Sequence, residues 1–219
     1  MSRFSLFSRR QTCAQRNRRK GYTLVEAMVG LSLTAMAGAV VLLAVETSLD
    51  AADQALQQTV AAGLAEQLAD EILGAMYYAP GANPYQSSLG PDEAATQGDG
   101  REQFDEIGDY DGYGRDVSPP EDRWGAIVGQ GDDRDPDATR HPNFAAPTGA
   151  FDGWRQQVEV YYVDPDNPFP DDPSDRLGEP SDYRAIEVVI SRELATGEVH
   201  ELARVRRVVT FLPPVPDIP

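Results

Sequence analysis

The chain of 219 residues has one cysteine, Cys13, and one lysine, Lys20. A single thiol closes no intrachain disulfide, so any stable domain here rests on packing and polar contacts instead. Histidine is almost as scarce. His141 adjoins Pro142 and His200 sits at a strand position, and neither belongs to a zinc-like ligand cluster. No phosphate loop or nucleophile elbow occurs, which leaves no catalytic constellation and points away from an enzyme. Proline is absent from Tyr22 to Tyr78, so nothing in that stretch forbids one long helix.

Acids are missing from the first 21 residues, which carry Arg3, Arg9, Arg10, Arg16, Arg18, Arg19 and Lys20. Beyond Gly21 the balance inverts: twelve arginines face thirty-six acids, a net charge of −24 against −17 for the whole chain. So acidic a body is unsuited to direct nucleic-acid binding. Between the two regimes, Ala27 to Val45 runs nineteen residues without a charge. At 1.5 Å per residue that is roughly 28 Å, close to the hydrocarbon thickness of a bilayer. Basic residues before the run and acids after it predict a cytoplasmic N-terminus and an exported body. An uncleaved signal anchor would satisfy these features, yet it explains neither Gly21 nor the lone carboxylate Glu26 at the mouth of the run.

The stretch Lys20-Gly21-Tyr22-Thr23-Leu24-Val25-Glu26, followed by the apolar run, resembles the signal of type IV pilins and pseudopilins. That signal is a basic leader ending in Gly, an aromatic or Met, Thr-Leu-x-Glu, and an apolar helix. The resemblance implies that a prepilin peptidase cuts between Gly21 and Tyr22 and methylates the new amine of Tyr22. Tyr22 stands where Phe is commonest. Glu26 becomes the fifth residue of the mature chain and an assembly contact, pairing with the Tyr22 amine of a neighbouring subunit. The alternative role for Glu26 is an interfacial carboxylate reaching for lipid headgroups. The implied partners are the peptidase, other pilin or pseudopilin subunits and an inner-membrane assembly platform. The implied product is a minor pilin or pseudopilin in a type IV pilus or a type II secretion pseudopilus. The competing reading is a signal-anchored periplasmic module that binds calcium or an export substrate and does not polymerise.

Three regions follow: a basic leader (1–21), a long helix (22–79, membrane span about 27–45) and a periplasmic or extracellular head (80–219). In the helix, Leu49, Ala52, Leu56, Val60, Leu64, Leu68, Ile72 and Met76 recur at steps of three and four among polar residues. This stripe predicts packing against the head, with the helix reaching about Tyr77 before Ala79-Pro80-Gly81 stops it. From Gly81 to Gly153 the chain is rich in Gly, Pro, Asp and Asn. It reads as an irregular excursion anchored by Phe104, Ile107, Tyr110, Tyr113, Trp124, Ile127, Val128 and Phe151.

Alternating β-branched and aromatic residues predict strands at Trp154–Val163, Tyr183–Arg192 and Glu198–Phe211. An irregularity is expected near Ala203 and a hairpin turn at Leu194–Gly197. The expected fold is therefore α+β, a long helix on an antiparallel sheet of three or more strands, ended by Pro213-Pro214-Val215-Pro216. Asp164–Asp175, with four prolines, reads as an extended linker.

The segment Phe104–Tyr113 resembles an acidic-aromatic stretch of minor pilins of the MSHA type. Asp105, Asp109, Asp111 and Asp116 supply hard oxygens suited to Ca²⁺, although Ile107 breaks the EF-hand spacing. The alternative is a solvated acidic loop on aromatic anchors, with no cofactor. Many pilins close a C-terminal loop with a disulfide, and this chain departs from that version.

Overall fold

The computed structural model describes residues 21–93, 95–97, 100–115, 119–130, 143 and 145–212. Leader residues 1–20, Asp116, His141 and the Pro213–Pro216 end lie outside them. The chain divides into two compact units, one to Ala51 and one from Ala52. Helix α1, Leu24–Leu73, contributes to both.

In the first unit α1 begins at a capping box. Thr23 Oγ1 accepts the Glu26 amide at 3.2 Å, and Glu26 Oε2 accepts the Thr23 amide at 2.9 Å. The hydroxyls of Ser32, Thr34 and Thr47 donate back to the carbonyls of Met28, Gly30 and Leu43. The apolar run thus presents no unsatisfied hydroxyl to a lipid environment. Its side chains are all exposed in the single chain, and α1 is long and apolar enough to cross a membrane.

In the second unit the sheet is a meander of β1 (Trp154–Tyr162), β2 (Tyr183–Glu193) and β3 (Val199–Thr210), antiparallel and in that order. Val158, Val188 and Val205 align across the three strands, and a bulge opposite Ile190/Ser191 leaves Leu202 unmatched beside Ala203. The α+β expectation holds, including the irregular point in β3.

The inner sheet face (Val158, Val160, Ile186, Val188, Ile190, Val205) packs on α1 through Ala61, Ala65, Leu68, Ala69 and Ile72. Three of these are alanines at steps of four, all at most 1 % exposed. Their small side chains pack among the larger residues of the sheet face in one core. The leucine-centred stripe describes this face from Val60 onward. Leu49 and Leu56 stay 66 % and 61 % exposed, so the upper part of the expected stripe does not reach the core.

The helix also stops at Leu73, short of Tyr77. Gly74 is a poor helix former, and Met76 is drawn into a parallel bridge with Glu106. The Met76 amide donates to Asp105 O at 3.1 Å and its carbonyl accepts from Ile107 at 2.8 Å.

Among the described residues, the excursion before β1 has little regular structure but is tied down by backbone bonds. Phe104, Ile107 and Tyr110 enter the core, and Phe151 packs edge-on against Trp154. Trp124, expected as an anchor, is 54 % exposed, because the tight turn capped by Asp122 buries Ala126 instead. Gly112 and Tyr113 pair with Val158 along the outer edge of β1. Gly114 follows at φ 77°, where a Cβ would meet Gln156 O at 1.7 Å, so the approach admits only glycine.

Candidate functional site

The predicted processing site is open. Gly21, Tyr22 and Thr23 precede the helix, and Tyr22 is 88 % exposed. Nothing lies within 4 Å of a Cβ built on Gly21. Thr23 fixes where the helix starts, and that start fixes Glu26. Its carboxylate sits at the helix N-terminus, held by the Thr23 amide and hydroxyl at 2.9 and 3.1 Å. An anion is favoured there by the helix dipole. Gly21, Tyr22 and the Glu26 carboxylate therefore lie together at one exposed helix start. Residues 16–42 match the family model of the prokaryotic N-terminal methylation motif.

The match supports a type IV pilin-like family. It covers Arg16, Arg18, Arg19, Lys20, Gly21, Tyr22, Glu26 and most of the apolar run. Such a motif indicates a prepilin-peptidase substrate and implies assembly with other pilins. Its family is structural rather than enzymatic. With the apolar helix it suggests a membrane-anchored, pilin-type protein. No curated protein and no solved structure matched the chain.

Of the four aspartates named for calcium, the three among the described residues, Asp105, Asp109 and Asp111, form no metal-ligand cluster. Asp109 is 3 % exposed and turns inward, accepting the amides of Asp105 and Glu106 at 3.0 and 3.2 Å. Burial raises its pKa despite those two bonds. Asp111 accepts the Val160 amide at 2.9 Å and fastens the loop to β1. Asp105 is exposed, and Asp116 lies outside the described residues. No group of three or more acids, histidines or cysteines suited to a metal occurs among the described residues.

Buried charges at Arg101, Arg184 and Glu187 help hold the head together, and none was evident from spacing. Arg101 makes a two-pronged bond to Glu71 at 3.0 and 2.9 Å and donates to Tyr113 Oη at 2.6 Å. Tyr110 donates to the same Glu71 at 3.2 Å. Burial opposes the charge on Arg101, but Glu71 and Tyr113 together raise its pKa above the usual value. Arg184 is fully buried without a carboxylate bonded to it. It donates to Tyr77 O, Pro84 O and Tyr162 Oη at 2.6, 2.9 and 3.0 Å and stacks on the Tyr77 ring, while its Nε has no partner.

Glu187, 2 % exposed, lies on the outer sheet face beneath Arg176, Arg204 and Arg206 and accepts from Tyr161 Oη at 2.9 Å. Arg176 also bonds Glu159 and stacks on Tyr161, while Arg206 donates to Pro170 O at 3.3 Å. The proline-interleaved connection between β1 and β2 is thereby tied across the outer face. It behaves as a strap rather than a free linker.

Proposed function

We propose that this chain is a minor pilin or pseudopilin subunit. It is cut after Gly21 by a prepilin peptidase, N-methylated on Tyr22 and assembled into a type IV pilus or a type II secretion pseudopilus. The observation that carries this reading is the methylation motif, with Gly21–Tyr22 exposed directly ahead of the capped turn that holds Glu26. Before assembly the protein spans the inner membrane once, N-terminus in the cytoplasm and head outside. There it engages the assembly platform and other subunits.

Glu26 has two successive roles in this scheme. In the free subunit it caps its own helix. In the filament, where the apolar segments pack together, its charge needs a cation, and the Tyr22 amine of a neighbour supplies one. The head adds the acidic-aromatic Phe104–Tyr113 segment, which favours an MSHA-type minor pilin among the alternatives.

Mass spectrometry of the processed N-terminus tests the scheme. The expected product starts at N-methyl-Tyr22, whereas an intact leader would point to the membrane-anchored binding module. Glu26→Ala is expected to insert in the membrane normally and to be depleted from sheared filaments. Equal incorporation of the variant and the parent would remove the pairing role.

A further inference from the structure

The inner face of β1 carries Trp154, Gln156, Val158 and Val160, and all but Gln156 belong to the apolar core. Strand alternation calls for an apolar group there, yet Gln156 is only 5 % exposed and lines one crevice with Leu64 and Leu68 of α1. Among the described residues its side-chain amide makes no hydrogen bond. Buried amides are almost always bonded, to protein or to ordered water.

Two more groups at the same crevice have bonding capacity to spare. A guanidinium has five N–H donors. Those of Arg101 reach both Glu71 oxygens, Tyr113 Oη and Glu121 O, which leaves one N–H on Nη2. Glu121 is partly buried, and its carboxylate accepts no hydrogen bond among the described residues. Burial raises its pKa, with the Arg101 charge opposing. Leu64, Leu68 and Val128 supply apolar walls, and about 10 Å³ remains for the centre of a water-sized guest. That is room for one water.

We propose that this crevice is a binding site for one ordered water molecule, held by the Gln156 amide, the spare Arg101 N–H and the Glu121 carboxylate. Three partners are what an internal water usually has. A cation in the same place would meet the Arg101 guanidinium, and an anion would meet Glu71 and Glu121. Water both donates and accepts, and it suits a wall that carries both signs. It joins β1 to the Glu71–Arg101 pair, which already links α1 with the excursion. The inference does not depend on the filament reading.

Oxygen-17 relaxation dispersion of the full-length protein in detergent micelles counts waters held for longer than the protein takes to tumble. Gln156→Leu is expected to remove one such water from the parent's count. Water-to-protein Overhauser spectra locate it. The parent should show cross-peaks between water and the Gln156 side-chain amide, opposite in sign in the laboratory and rotating frames, as for a water tumbling with the protein. Should Gln156→Leu fail to fold, Gln156→Met replaces it, and if neither folds the cross-peaks on the parent chain still decide. An unchanged count, or no cross-peak at the Gln156 amide, would overturn the proposal. So would sodium-23 line broadening that the variant abolishes, because a cation would then hold the site.

Discussion

Arg101 and Arg184 carry full charges into the head by different means. Arg101 is neutralised by Glu71, so removing it strands a mostly buried carboxylate. Arg101→Ala is expected to cost about 3–5 kcal/mol in urea unfolding, the usual penalty for breaking a buried pair. A loss below about 1 kcal/mol would show that the pair is solvated. Arg184 relies instead on carbonyls and on the Tyr77 and Tyr162 rings.

The phenols of Tyr77 and Tyr110 have a pH signature. Burial raises the pKa of Tyr77 from 10.0 to about 12, with Arg184 opposing, and burial raises Tyr110 as well. The unfolded phenols ionise first, so their contribution is fully present below pH 10 and is lost as pH climbs through about 12. Tyrosinate absorbance and near-ultraviolet circular dichroism should therefore change together in that window. Titration of these tyrosines with the native signal intact would contradict their burial.

At the level of elements, α1 meets the sheet through small side chains rather than through its leucines alone. Ala65→Leu should overpack that contact and destabilise the head by about 1–3 kcal/mol. Leu56→Ala, at an exposed position, should stay within about 0.5 kcal/mol. A comparable loss from both changes, measured by thermal unfolding of the full chain, would relocate the packing face.

The same contrast shows what sequence pattern conveys. Thr23–Glu26 marks the helix start because a capping box is local. The three strands are legible because alternation with a period of two survives in Val158–Val160 and Ile186–Ile190. The helix end was not, since Gly74 could have been bridged and the deciding bond joins Met76 to Asp105 far along the chain. Alanine is ambiguous in the same way: Ala52 is exposed and Ala65 is buried, and only the sheet separates them. The methylation motif was readable because its residues are contiguous. Glu71–Arg101 and Glu187 with its arginines were not, since their members come from segments tens of residues apart.

Across the whole molecule, the proposed processing would shift charge more than mass. Losing residues 1–21 removes seven cations and no acid. The mature form should focus at a lower isoelectric point than the precursor, and a strain lacking the peptidase should show only the less acidic species. Identical focusing in the two strains would mean that the leader is retained.

The arginines that lock the head also decide how it resists digestion. Because no lysine follows Lys20, a trypsin-like protease has only arginines to cut beyond the leader. Arg155, Arg184, Arg192, Arg204, Arg206 and Arg207 lie within paired strands, and the Arg101 amide is bonded to Arg123 O. Arg115 and Arg123 are exposed and belong to no strand, which leaves them the arginines least sheltered by the sheet among the described residues. A chain nicked beside Arg123 would keep both flanking segments tied to the same helix and sheet, and so would hold together as a cleaved but folded head.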